Sequence, residues 1–289
     1  MGHTKRTDAL VALALNLLAE EHPETLRGLY YRLVCAKAFA SWPARKSATG
    51  GEPDGNAFYD AVGVMIADAR LEGIIPWDWI EDRTRRPFRP SMWSDLASFE
   101  QTVLRAFRLK IWNTQPRYVE VWLEKDCLAG TFEDVLNPYG VTLNVGRGFD
   151  GWSSIYAAAQ RFSAMPKTGT ILYWGDFDPS GWDMPRSLGE RLGRFDCHPE
   201  IIRCALVATD MKKYNLPWER CKKSDTRTPA FIAEHRDFDI KLDSLPLKVL
   251  REKLTFEVES RMDLTALAEV KRLEDVGRVD LARKLGRTK

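Results

Sequence analysis

The sequence predicts an α/β protein in two parts. The first, over residues 1–115, is a mainly helical unit of winged-helix kind; the second, over 116–289, is a parallel-sheet α/β domain with a C-terminal helical extension. Three observations carry that prediction. Apolar residues recur at helical spacing up to about residue 112, and from Tyr118 onward short apolar runs alternate with helical stretches. The third is the stretch ILYWGDFDPSG over 171–181, where a strand of the buried kind ends in two acids separated by one residue, Asp176 and Asp178.

In the first part, residues 8–39 read as two helices broken at His22 and Pro23. Leu10, Leu13, Ala14, Leu17 and Leu18 form the apolar stripe of the first. Thr25 is a cap for the second, whose stripe is Leu26, Leu29, Tyr30, Leu33 and Val34. That stripe predicts Tyr30 in the core, with Tyr31 turned about 100° away, in line with Arg27 and Cys35. A loop over 43–56, rich in Pro, Gly, Ser and Lys, precedes a third helix carrying Phe58, Ala61, Val62, Met65, Ile66 and Ala69. Residues 74–80, with two tryptophans, predict a short hairpin or wing, and three helices with a wing are a common DNA-binding shape. Arg83, Arg85, Arg86 and Arg89 follow, interleaved with aromatics, and such a run can track a phosphate backbone as well as form solvated surface. A helix over 96–112 leads into the second part.

There the expected order is strand 119–123, helix 128–136, strand 141–145, helix 153–162, strand 170–174, helix 185–192 and strand 201–207. Alternation of this kind implies parallel strands with right-handed crossovers, and such sheets place ligands at the carboxyl ends of their strands. The first strand ends in Glu124, Lys125 and Asp126, so Glu124 is delivered to the same edge as Asp176 and Asp178. Three carboxylates there can hold Mg²⁺, which needs few protein ligands. The plain alternative is an acidic strand exit in which Asp178 caps the next helix.

Two other patterns compete or exclude. Gly146, Gly148 and Gly151 make a formal G-x-G-x-x-G after a strand, but Asp176 lies 30 residues beyond Gly146, and Asp150 would face a pyrophosphate. A tight strand-to-helix turn near the acidic edge accounts for them better. Net charge is +2, so any nucleic-acid surface must be a local patch. No apolar run is long enough for a membrane span, and five cysteines without CxxC spacing read as reduced cytosolic thiols.

Ordered motifs then resemble a known family. Glu124–Lys125–Asp126 and Asp176–Phe177–Asp178–Pro179–Ser180–Gly181 are similar to the E-K-D and D-x-D-P-x-G of a Toprim domain. Arg27–Gly28–Leu29–Tyr30–Tyr31 is similar to the R-x-x-[YF]-Y of the topoisomerase VI A subunit and its relative, the meiotic double-strand-break transesterase. The stretch from Tyr214 and Leu242–Asp243–Ser244–Leu245–Pro246 resemble that family's linker and its L-D-A-L-P. The resemblance spans residues 25 to about 255 and implies a small bacterial or phage-type member, cytoplasmic and nucleoid-associated.

What it implies chemically is Mg²⁺-dependent cleavage of double-stranded DNA, with Mn²⁺ as a substitute ion. Tyr31 is then the nucleophile, Arg27 its phosphate or phenolate partner, and Glu124, Asp176 and Asp178 the metal set, with Lys125 beside them as a DNA-binding residue, like Arg83, Arg85, Arg86 and Arg89. Two alternatives stay open: hydrolysis by metal-activated water, and a non-catalytic DNA-binding partner of a separate ATPase. The resemblance also implies a homodimer in which the tyrosine of one subunit meets the metal of its mate. Lys241 departs from the family, which has Glu at that place.

Overall fold

The computed structural model describes residues 5–39, 55–80, 90–146 and 151–286. Two helices open the chain, α1 (Lys5–Glu20) and α2 (Leu26–Cys35), and α3 (Gly55–Leu71) crosses them. Leu10, Val11, Ala14, Leu18, Leu29, Leu33, Val62, Ile66 and Ala69 interlock there with Ile75 and Ile80. The Thr25 side chain accepts from Gly28 N at 3.1 Å, capping α2 as its sequence position predicts.

The hairpin expected over 74–80 is not formed. Pro76 instead opens a single 3-10 turn, Trp77–Trp79, and Ile80 makes one isolated bridge with Glu24. Arg70 explains the difference: its guanidinium lies over the Trp77 ring and donates to the carbonyls of Trp77 and Ile80 at 2.7 and 3.1 Å. Those acceptors are thereby lost to any strand ladder. Arg83, Arg85, Arg86 and Arg89 lie outside the described residues.

Helix α4 (Leu96–Ala106), capped by Asp95, ends well before residue 112. Leu109 N donates to Glu274 Oε1 at 2.8 Å instead of continuing the helical ladder, and a further 3-10 turn holds Ile111 and Trp112. Residues beyond then alternate as expected: β1 (Tyr118–Leu123), α5 (Ala129–Leu136), β2 (Thr142–Val145), α6 (Trp152–Ser163), β3 (Gly169–Trp174), α7 (Pro179–Gly193) and β4 (Glu200–Ala205). Helix α7 begins at Pro179 and not at 185, because Asp178 caps it and Pro179 suits a first helical turn. Four short or long helices finish the chain: α8 (Ala208–Tyr214), α9 (Thr228–His235), α10 (Leu247–Glu259) and α11 (Leu264–Lys284).

All three strand pairings are parallel, in the order β2-β1-β3-β4. Strand β1 is buried along its whole length and β3 almost so, which accounts for their near-continuous apolar runs. The chain goes to one side of β1 to make β2 and to the other to make β3. The crevice at the carboxyl ends of β1 and β3 is therefore the point where the winding reverses, and there the sheet opens a cleft. The main core of the sheet unit, from Trp112 to Val258, lies beneath it.

Candidate active site

Glu124 leaves β1, and Asp176 and Asp178 leave β3, at that crevice. The structure places all three at this one crevice, and five of their six oxygens are engaged. Glu124 Oε2 accepts from Asp176 N at 3.0 Å and from the Tyr173 hydroxyl at 3.3 Å. Asp176 Oδ1 accepts from Leu242 N at 2.8 Å, and its Oδ2 lies 2.8 Å from Lys125 Nζ. Asp178 plays the capping part foreseen as the plain alternative: its Oδ1 accepts from Gly181 N at 2.7 Å. Its Oδ2 lies 3.0 Å from Lys241 Nζ.

Close backbone approach makes this packing possible. A Cβ on Gly175 would stand 2.5 Å from Glu124 Oε2, and one on Gly181 would stand 2.5 Å from the Asp176 carbonyl. Beneath them, Arg203 of β4 donates to the carbonyls of Gly175, Asp176, Gly181 and Leu206, so one partly buried guanidinium holds the acidic loop in shape. The sequence reading passed over Arg203. Its signal was an arginine between Ile202 and Cys204, inside an otherwise apolar strand.

Electrostatics follow from burial. Burial and the neighbouring Asp176 push the Glu124 carboxyl above the usual range. Burial works against an acidic Asp178, but Lys241 and the Gly181 N–H outweigh it and hold its pKa down. Burial likewise disfavours the charges of Lys125 and Lys241. Asp176 and its acidic neighbours more than offset this, and both lysines are held protonated. Asp239 and Asp243, neither of them named from the sequence as site residues, join the cluster. Both are raised by burial.

Tyr31 lies closer to this edge than the sequence suggests. Arg27 Nε is 2.7 Å from Asp243 Oδ2, and the Arg27 guanidinium lies 5.9 Å from the Tyr31 ring centre. Arg27, Tyr30, Tyr31 and Tyr59 line one cavity of about 450 Å³ with Trp218, Glu219, Lys222, Asp239 and Lys241. One expectation changes in degree: Tyr30 packs against the edge of the core and is only half-buried, and both tyrosines face this cavity, because Leu29, Leu33 and Gly28 fill the inner face of α2. Through that cavity the tyrosine also approaches Asp239 and Lys241 of its own chain. Burial and Asp243 push the Tyr31 phenol up to about 12 against the opposing pull of Arg27.

Does the set suit a divalent cation? Its donors are all carboxylates, the hard oxygen ligands Mg²⁺ prefers. Yet among the described residues no three acidic, histidine or cysteine side chains converge as a ready metal cage. Lys241 stands between Asp176 and Asp178. The donor chemistry fits, and an ammonium holds part of the place. The glycine turn at Gly148 and Asp150 lies outside the described residues. Among those residues no helix is long and apolar enough to cross a membrane. No protein-family model matches the chain, and no curated protein does.

Proposed function

We propose that the chain cleaves double-stranded DNA by transesterification, with Tyr31 as the nucleophile. One observation carries the reading: Tyr31 and Arg27 line the same cavity as Asp239 and Lys241, which ion pairs join to the Asp176 and Asp178 edge. The Tyr31 hydroxyl oxygen attacks phosphorus, its proton leaves, and the P–O bond to the 3′ carbon breaks. The departing 3′ oxygen takes up a proton, and a 5′-phosphotyrosyl end remains. The step is reversible because one phosphodiester replaces another.

Arg27 supports the phenolate as it forms and offsets the negative charge of Asp243 behind it. Lys222 and Lys241 line the approach and meet the anionic backbone. Glu124, Asp176 and Asp178 are the residues that would hold Mg²⁺, or Mn²⁺ in its stead. When bound, the ion supplies positive charge to the phosphate and the leaving oxygen. The helical N-terminal unit, winged-helix by resemblance, would lie on the duplex with Arg83, Arg85, Arg86 and Arg89. A homodimer supplies two such sites for two strands, and a separate ATPase subunit would be needed for strand passage.

A second reading, hydrolysis by metal-activated water, draws on the raised phenol, which is protonated at neutral pH. End-labelled DNA incubated with Mg²⁺ or Mn²⁺ and run on a denaturing gel separates the two. Transesterification leaves protein on the 5′ end. Tyr31→Phe abolishes the adduct, and Tyr156→Phe, on the exposed face of α6, does not. Free 5′ phosphates from an active Tyr31→Phe variant would make the chain a nuclease. DNA bound but left intact by the wild type would make it a non-catalytic partner.

A further inference from the structure

We propose that Lys241 is a tethered cation of the acidic edge, competing with a divalent ion for Asp176 and Asp178. This rests on the reading of that edge as a cation site, and its own support is geometric. Lys241 Nζ lies 2.7 Å from Asp239 Oδ1, 3.0 Å from Asp178 Oδ2 and 3.3 Å from Asp176 Oδ2. An ammonium has three N–H donors, and here three carboxylates surround it. Its backbone is fixed in this place. Ile240 and Phe177 exchange both backbone hydrogen bonds, at 2.9 and 3.1 Å, in an antiparallel bridge that sets residue 241 opposite Asp176 and residue 239 opposite Asp178. On its other flank, Leu242 N donates to Asp176 Oδ1 at 2.8 Å.

The side chain also has somewhere to go. Asp239 and Lys241 both line the cavity that holds Tyr31, whereas Asp176 and Asp178 do not. Swung toward that space, the ammonium keeps Asp239 and frees Asp178 Oδ2, while Lys125 Nζ stays 2.8 Å from Asp176 Oδ2. A divalent ion entering at Glu124, Asp176 and Asp178 would otherwise stand a few ångströms from a like charge in a poorly solvated crevice. Metal and ammonium therefore exclude each other from Asp178 Oδ2, and the ammonium also crowds Asp176 Oδ2 at 3.3 Å. Lys125 shares that Asp176 oxygen with Lys241 but does not line the cavity.

Calorimetric titration with MnCl₂ and MgCl₂, metal alone and no DNA, tests the competition on the full chain. Lys241→Gln should bind Mn²⁺ on the order of tenfold more tightly than the wild type, since a like charge leaves the site. The Mn²⁺ spin-resonance signal of free ion should fall correspondingly earlier in the titration. Equal or weaker binding by a folded Lys241→Gln overturns the proposal. A second measurement needs no variant. In the wild type, the ¹H–¹⁵N resonance of the Lys241 ammonium should shift and broaden as millimolar Mg²⁺ is added, while exposed lysines stay put. A resonance unmoved at saturating Mg²⁺ overturns it too. Competition without any DNA adduct would remove the transesterase reading alone; adduct formation without competition would remove this inference alone.

Discussion

Arg27 Nε stands 2.7 Å from Asp243 Oδ2, and through that ion pair the helix bearing Tyr31 is tied to the loop behind the acidic edge. Asp243 has no exposed side-chain surface, whereas Arg27 is 46% exposed. Arg27→Met leaves a buried acid with less compensation and should cost on the order of 1–3 kcal/mol in urea unfolding. The loss of DNA adduct should be far greater than that loss of stability. Wild-type adduct yield from a folded Arg27→Met protein would show that the pair holds the fold and has no part in the chemistry.

Beneath the sheet a different pair is purely structural. Glu120 is fully buried in β1 and takes Arg161 in two hydrogen bonds of 2.7 and 2.9 Å, with Asn144 and Tyr118 completing its shell. Removing one partner of a buried pair leaves an uncompensated charge, so Arg161→Met should destabilise by about 3–5 kcal/mol. Thermal unfolding followed by circular dichroism checks this. A loss under 1 kcal/mol, on the order of an exposed pair's worth, would count against it.

Glu24 gives the N-terminal unit an unusual pH response. Burial outweighs its 3.1 Å contact with Arg32 and raises its carboxyl from 4.5 to about 7. A folded-state pKa above the unfolded one means the native state holds a proton that the unfolded chain has released. The contribution is therefore full below pH 4.5 and lost as pH rises toward 7. The slope amounts to on the order of 3 kcal/mol over that window. Glu24→Gln should flatten it, as melting temperatures measured from pH 5 to pH 8 would reveal. An unchanged profile would mean that Glu24 is ionised in the folded protein.

Gly181 is the tightest backbone approach within the site. In Gly181→Ala the added Cβ would meet the Asp176 carbonyl at 2.5 Å and Glu124 Oε2 at 3.1 Å. The acidic loop must shift, at a cost of about 1–3 kcal/mol. Divalent binding, measured by calorimetry, should weaken with it. Unaltered binding would show that the loop relaxes freely.

Mixing Tyr31→Phe with Asp176→Asn subunits asks where each site is completed. Because Tyr31 shares a cavity with Lys241 of its own chain, the mixture should recover no cleavage. Nicking restored in mixed dimers would assign the tyrosine of one subunit to the acids of its mate.

The alternating apolar runs after Tyr118 were enough to read four parallel strands and the helices between them, because buried strands and amphipathic helices impose different periods. The same logic delivered Glu124, Asp176 and Asp178 to one edge, since acids at strand exits of such a sheet share it. Capping chemistry at Thr25 and Asp178 is local too, and was readable one residue at a time.

What the residues at 74–80 and 107–110 do was not readable there, for their partners are distant: Arg70 in the first case, Glu274 of α11 in the second. Tyr30, which packs against the core but is half-buried, was only partly readable, for a related reason. Helical spacing marks which face of α2 is apolar, but only the packing of α3 and the loop at Trp218 decides that a cavity lies against Tyr30 and Tyr31. Nor could spacing foretell that Lys241, 63 residues beyond Asp178, would put its ammonium among three acids. The sequence by itself determined the layers and the acidic edge, through periodicity and strand ends. The tertiary structure alone decided which charges face one another, because ion pairing in a low-dielectric crevice depends on distance in space, and chain order does not encode it.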